Sequence, residues 1–101
     1  MPVGGSFYEF NEANISRAPD GPGVYALFEG AETIYIGMST VSIRDRLTAH
    51  LNGTEGRCTQ GASHYKRQET TADQAEPYEE ALLAEYQAAY GRLPRCNRRA
   101  S

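Results

Sequence analysis

The stretch that decides the fold is Gly23-Val24-Tyr25-Ala26-Leu27-Phe28-Glu29, followed by Gly30-Ala31-Glu32 and then Thr33-Ile34-Tyr35-Ile36-Gly37-Met38. Both runs are rich in β-branched and aromatic residues, and the short glycine-containing link between them reads as the turn of a β-hairpin. Pairing Glu29 with Thr33 sets Tyr25 across from Gly37 and Leu27 across from Tyr35. Period-two alternation then puts both tyrosines on one sheet face and Val24, Ala26, Phe28, Ile34 and Ile36 on the other. Gly37, having no side chain, leaves space beside the Tyr25 ring where a substrate can approach.

Working outward, the breaker cluster Pro19-Asp20-Gly21-Pro22-Gly23 closes an N-terminal arm, residues 1–18, whose Phe7, Tyr8, Phe10 and Ile15 are expected to cover the core. Beyond the hairpin, Ser42 is placed to cap a helix over Ile43–Leu51 that Asn52-Gly53 ends. At about 100° per residue, Arg46 and His50 fall within about 60° of Ile43 on the apolar side, while Asp45 points to water. A loop over residues 53–62 leads to a third strand from His64 to Thr71. Pro77 reads as the start of a helix through Tyr90, closed by Gly91 and Pro94. On that helix Glu85 lies within about 60° of Leu82, an expensive place for a carboxylate unless a cation meets it, and Glu79 and Glu80 are read as facing elsewhere. The expected fold class is α/β, a three-stranded antiparallel sheet flanked by helices near residues 42–51 and 77–90.

Length and composition agree. At 101 residues the chain is one domain, 1–101, with a basic tail at 98–101, and 40% hydrophobic with 23% charged residues marks it as globular. No run approaches the roughly 20 apolar residues of a membrane-spanning helix, and the N-terminus lacks a signal-peptide pattern, so no membrane partner and a cytoplasmic location are expected. Cys58 and Cys96 are too few for a disulfide framework and are read as reduced thiols. The net charge of −3 conceals segregation, because residues 44–67 carry five basic side chains against two acidic ones. Arg44, Lys66 and Arg67 in that segment are candidates for holding phosphates.

Arg46 and His50 on one helix, a carboxylate on the other and two sheet tyrosines form a set suited to phosphodiester hydrolysis. A carboxylate can hold a divalent metal, a guanidinium can take the charge developing on the phosphate, and a phenol or imidazole can move the proton of the attacking water. Singly, each has a plainer reading. Tyr25 and Tyr35 would be half-buried strand tyrosines, His50 a hydrogen-bonded boundary histidine, and Arg46 and Glu85 an ion pair.

Together and in order, these residues resemble the GIY-YIG nuclease superfamily over roughly residues 18–97. The first motif stands as Gly23-Val24-Tyr25, with Val for Ile, and the second as Tyr35-Ile36-Gly37. The family's Arg-Leu-x-x-His pattern matches Arg46 to His50, and its late glutamate and Pro-x-x-Asn match Glu85 and Pro94-Arg95-Cys96-Asn97. The interval from Tyr35 to Arg46 suggests a loop lengthened at Ser39–Val41 and makes Arg44 a competitor for the arginine role.

The resemblance implies a metal-dependent endonuclease. Glu85 would be the sole protein ligand of Mg²⁺ or Mn²⁺, Arg46 would stabilise the transition state, and Tyr25 or Tyr35 would take the water proton with His50 as relay. Asn97 would anchor the last segment and fix the Glu85 helix. DNA is the expected substrate, with RNA left open. A monomer would nick one strand per encounter with low or structure-based specificity, two molecules meeting on DNA for a double-strand break. The alternative is a non-catalytic nucleic-acid-binding module using the same face.

Overall fold

A computed structural model describes residues 6–97, so the basic tail and the first five residues of the arm lie outside the described residues. The fold is α/β. Strands β1 (Tyr8–Glu9), β2 (Gly23–Glu29), β3 (Glu32–Ser39) and β4 (His64–Glu69) form one sheet in the order β1-β4-β2-β3, with every neighbouring pair antiparallel. The sheet therefore has four strands and not three. The arm supplies the extra one, Tyr8 pairing with Tyr65 and Glu9 with His64. Helices α1 (Glu12–Ile15), α2 (Ile43–Leu51), α3 (Arg57–Gln60) and α4 (Ala72–Tyr90) complete the chain.

The hairpin register is as expected where it matters, with Tyr25 opposite Gly37 and Leu27 opposite Tyr35. The pairing shifts between Leu27 and Phe28, so Thr33 meets Phe28 and Glu29 meets Glu32. An extra residue in one strand flips the alternation beyond it. Ile34 accordingly joins the tyrosine face and not the face expected for it.

On the tyrosine face, Tyr25, Leu27, Ile34 and Tyr65 pack with Ile15 of α1 and with Ile43 and Leu47 of α2. On the other face, Val24, Ala26 and Ile36 pack against Leu82 of α4, with Tyr78, Leu83 and Tyr86 at the margin. The arm covers the first face less completely than expected. Phe10 and Ile15 are buried, whereas Phe7 is 47% exposed although its ring meets His64 and Phe28.

Two boundaries and one bond differ from expectation. Helix α4 begins at Ala72, five residues before Pro77, because fully buried Ala75 pins the first turn to the sheet and a proline near a helix start removes only one backbone hydrogen bond. The loop at 53–62 contains the single turn α3. Cys58 of α3 and Cys96 form a disulfide, so neither is the free thiol expected. The sequence separation of 38 residues gave no hint that they meet. They do because α3 and the segment after α4 converge beside β3, where the Cys96 N–H donates to the Ile34 carbonyl.

Candidate active site

Tyr25 is fully buried, and its hydroxyl lies 2.8 Å from His50 Nε2, while the Tyr25 and Tyr35 rings tilt together with centroids 6.2 Å apart. This crowding explains Gly37. A Cβ there would sit 2.6 Å from Tyr25 Cζ, 2.6 Å from its hydroxyl and 2.6 Å from Tyr35 Cε2, so any side chain would displace a ring. Gly23 is equally constrained, since a Cβ would meet the Gln68 carbonyl oxygen at 2.3 Å. Both glycines thus permit close approach of neighbouring atoms; neither supplies a turn. The space expected beside the Tyr25 ring at Gly37 is therefore filled by the two rings.

Helix α2 brings up the next two groups. Ser42 caps it as expected, its Oγ accepting from the Asp45 N–H at 3.1 Å and donating to Asp20 at 2.7 Å. The lengthened loop is tied down by Ser39, whose Oγ accepts from the N–H groups of Val41 and Ser42. A concavity of about 320 Å³ opens there, with Met38, Ser42 and Arg46 in its wall. His50, only 1% exposed, sits between the tyrosines and α3, its Nδ1 lying 2.8 Å from Thr59 Oγ1. Burial, and then the Arg46 charge, lower its pKa to about 4, so it is neutral at physiological pH.

Of the two arginines, Arg46 is the one whose charge acts on both tyrosines. Arg44 donates from Nε to the Ala18 carbonyl at 3.0 Å and lies 3.9 Å from Asp20, held against the segment before β2 and away from the tyrosines. Arg46 meets Glu55 at 3.5 Å, and its buried Nε has no hydrogen-bond partner among the described residues. Burial works against the Arg46 charge, but Tyr25, Glu55, Tyr35 and Glu79 around it prevail, and the guanidinium stays charged.

Glu79 and Glu55 both act electrostatically on this cluster. Tyr25, Tyr35 and Arg46 all feel the Glu79 charge, which is possible because β3 is an edge strand and α4 runs alongside it. Half-buried Glu79 has its pKa raised by burial and by Glu76 and Glu80, with Arg46 opposing. Glu85 instead lines a 220 Å³ cleft on the other sheet face with Ala26, Ile36, Lys66 and Leu82. Relative to Leu82 the two glutamates flank the apolar stripe at about equal angles on opposite sides. The strand beneath decides which flank meets the tyrosines.

The remaining expected residues divide in the same way. Lys66 pairs with Ala26 and so belongs to the Glu85 side of the sheet. Arg67 pairs with Tyr25 and belongs to the tyrosine face, where its guanidinium lies 4.7 Å over the Tyr8 ring and donates to the Tyr8 hydroxyl at 3.2 Å. Its buried Nε has no hydrogen-bond partner among the described residues. Buried Asn97 does not touch the tyrosines. Its side-chain amide accepts from the Ile36 N–H at 2.9 Å and donates to the Ile36 carbonyl at 3.0 Å. It therefore anchors the last segment to β3, between Tyr35 and Gly37, and not to the α4 helix.

The two phenols are not equivalent. Tyr25 is pushed well above the ordinary phenol value of 10.0, first by burial and then by Tyr35, with Arg46 opposing. Half-buried Tyr35 is raised by burial, with Arg46 opposing. Tyr25 thus stays protonated, and Tyr35 is the phenol that solvent reaches. Three residues of the cluster were not foreseen: Glu79, Glu55 and Thr59.

No protein-family model matches the chain, and no curated protein matches it. Solved structures do. The chain is similar to the N-terminal GIY-YIG endonuclease domain of UvrC from Thermotoga maritima, a crystal structure bound to its catalytic magnesium. The identity is 26% and the TM-score 0.67, over 84% of this chain and 92% of that one. A point mutant of the same domain, bound to its catalytic divalent cation, gives a TM-score of 0.68 at 26% identity over 84% of this chain and 91% of that chain. A further point mutant gives 0.64 at 26% identity over 74% and 87%.

Proposed function

From the GIY-YIG-like fold of this chain, we propose that it is a divalent-metal-dependent endonuclease that hydrolyses DNA phosphodiester bonds. One observation carries the reading. Arg46, Tyr25, Tyr35, His50 and Glu79 come from four different elements and converge on one end of the sheet, in a fold similar to nuclease domains that bind a catalytic divalent cation.

The donor set fits Mg²⁺ or Mn²⁺. Among the described residues no group of three or more His, Cys, Asp or Glu side chains could hold a metal, which argues against a closed protein cage such as structural zinc uses. A single carboxylate, with water and phosphate oxygens completing the shell, is what a hard cation accepts. Glu79, whose pKa is raised by burial and then by Glu76 and Glu80, is a second candidate beside Glu85 for the ligand role, since a cation would relieve that penalty on its charge. The metal, when bound, would neutralise charge on the phosphate and leaving-group oxygens.

The chain's own groups do the rest. Arg46 binds a non-bridging phosphate oxygen and stabilises the charge of the pentavalent transition state, exchanging its contact with Glu55 for the phosphate. Tyr35, as the phenolate that the nearby Arg46 charge favours, takes the proton of the attacking water and becomes the neutral phenol. His50 supports Tyr25 from behind. Asn97 keeps β3 in place, and Arg67 holds backbone phosphates at a distance from the reacting one.

No helix of the described residues is long and apolar enough to cross a membrane. The Cys58–Cys96 disulfide weighs against the cytoplasmic location expected from the sequence, since such bonds persist chiefly in oxidising compartments.

The test is a supercoiled-plasmid time course with pure protein and Mg²⁺ at limiting enzyme. Nicked circles are expected to precede linear product, because one constellation serves one phosphodiester, and excess EDTA is expected to stop cleavage. Linear product appearing directly, with first-order dependence on enzyme, refutes the one-strand account. Salt-sensitive DNA binding without cleavage in either metal would instead support a non-catalytic binding module, a reading favoured by the Glu55 contact already on Arg46.

A further inference from the structure

The Cys58–Cys96 bond joins a movable part of the chain to a fixed one. The fixed part is the turn over residues 95–97. Buried Cys96 donates its N–H to the Ile34 carbonyl, the Asn97 side chain bonds the N–H and carbonyl of Ile36, and Arg95 pairs with Glu29 and Glu32. The movable part is α3, a single turn of four residues whose N-cap, Gly56, supplies no side-chain hydrogen bond. A turn that short does not persist alone, because forming it fixes several dihedrals for one hydrogen bond.

What α3 carries is Thr59. Only 3% exposed, it sets its Oγ1 2.8 Å from His50 Nδ1, and His50 Nε2 lies 2.8 Å from the Tyr25 hydroxyl. Among the described residues Thr59 is the one hydrogen-bond partner of Nδ1. Withdrawing α3 leaves that buried nitrogen without its partner and opens the ring to water, which loosens the support beneath Tyr25.

We propose that the disulfide is a redox latch on the site: closed, it holds α3 and Thr59 against His50, and opened by a dithiol it releases them and slows cleavage. Cys58 is exposed and Cys96 buried, so a thiolate of the dithiol attacks the Cys58 sulfur. The Cys58–Cys96 bond breaks and Cys96 leaves as a thiolate. The second thiol of the reductant then displaces Cys58 and closes the reductant's own disulfide. Each released cysteine takes up one of the dithiol's protons, and two electrons pass from the dithiol to the cysteine pair. The latch rests on the nuclease reading for its effect on cleavage but not for its effect on α3.

The experiment compares the oxidised protein with the same protein in dithiothreitol, at saturating Mg²⁺ and well below the unfolding midpoint. The chain has two cysteines, so there is no second disulfide to open. The Ala62 N–H, which donates to the Thr59 carbonyl at 3.2 Å, is expected to exchange faster with solvent in the reduced protein, while the amides of β2 keep their protection. The nicking rate is expected to fall about 10- to 100-fold, the scale of a displaced supporting group, and to return on reoxidation. Cys58→Ser is expected to nick at the reduced rate with or without dithiothreitol.

An Ala62 exchange rate that reduction leaves unchanged overturns the latch. Loss of protection in β2 together with α3 overturns it too, since the bond then props the whole fold and does not act on the site alone. A further loss of rate when dithiothreitol meets Cys58→Ser traces the effect to the reagent, and a reduced protein that cleaves as fast as the oxidised one shows that the site does not depend on α3; either result ends the proposal. Absence of cleavage by the oxidised protein refutes the nuclease reading separately, because exchange is measured without DNA.

Discussion

Replacing Glu79 by Gln and, separately, Glu85 by Gln discriminates between the two faces of the sheet. Glu79 acts electrostatically on Arg46, Tyr25 and Tyr35, so its loss removes a carboxylate placed to hold a cation beside them, Glu55 being already engaged with Arg46. Removing an electrostatic group of this kind typically costs about 2.7–4 kcal/mol of transition-state stabilisation, or roughly 100- to 1,000-fold in rate. Glu85 is exposed and lies across the sheet, where substitutions usually change energies by within about 0.5 kcal/mol, or roughly twofold. Burial and the neighbouring Glu76 and Glu80 disfavour the Glu79 charge, so Glu79→Gln should fold at least as stably as the parent, and a rate loss cannot be blamed on unfolding. The assay is initial nicking rate at saturating Mg²⁺, with the denaturant midpoint of each variant alongside. A dead Glu85→Gln with an active Glu79→Gln would falsify the placement of the metal ligand.

Arg46→Ala is expected to lose at least about 100-fold in cleavage while Arg44→Ala loses far less activity, and the reverse order in the same assay would mean that the loop before α2 had been misread. Acid should destabilise the fold through His50. Its pKa falls from 6.5 to about 4 on folding, so the unfolded chain binds the extra proton, and stability drops as pH falls from about 6.5 to about 4. His50→Gln removes that part of the slope, and an identical pH profile in the variant refutes the assignment. Opening the 38-residue disulfide loop should cost about 4 kcal/mol by the chain-entropy relation. That predicts a lower denaturant midpoint in reductant, and two thiols reacting freely in the native protein would show that the bond does not form.

The hairpin, the capped helix α2 and the pairing of Tyr25 with Gly37 were legible because each is written locally, in alternation, a serine cap and a glycine opposite a ring. Arg46 and His50 were legible for the same reason, as inward positions of one short amphipathic helix. Glu79 was not. A helical wheel measures distance from the apolar stripe but not which flank meets the site, and Glu79 and Glu85 are mirror images on that measure. The disulfide and the Thr59 contact depend on α3 folding back onto the end of the chain, and no local pattern encodes that meeting. The fourth strand escaped because two residues are too few to show a period. The displaced Ile34 followed from a shift in pairing that no turn residue announced.

The last residues do more for the sheet than carry a cysteine and an asparagine. β3 is an edge strand, and an uncovered edge is an invitation to a strand from another molecule. Here the Cys96 N–H takes the Ile34 carbonyl, and the Asn97 amide takes both polar groups of Ile36, so a side chain and a loop occupy the places of a fifth strand. Truncating the chain just before Cys96 would therefore open a sticky seam next to the tyrosines, and self-association should appear before the fold itself is lost.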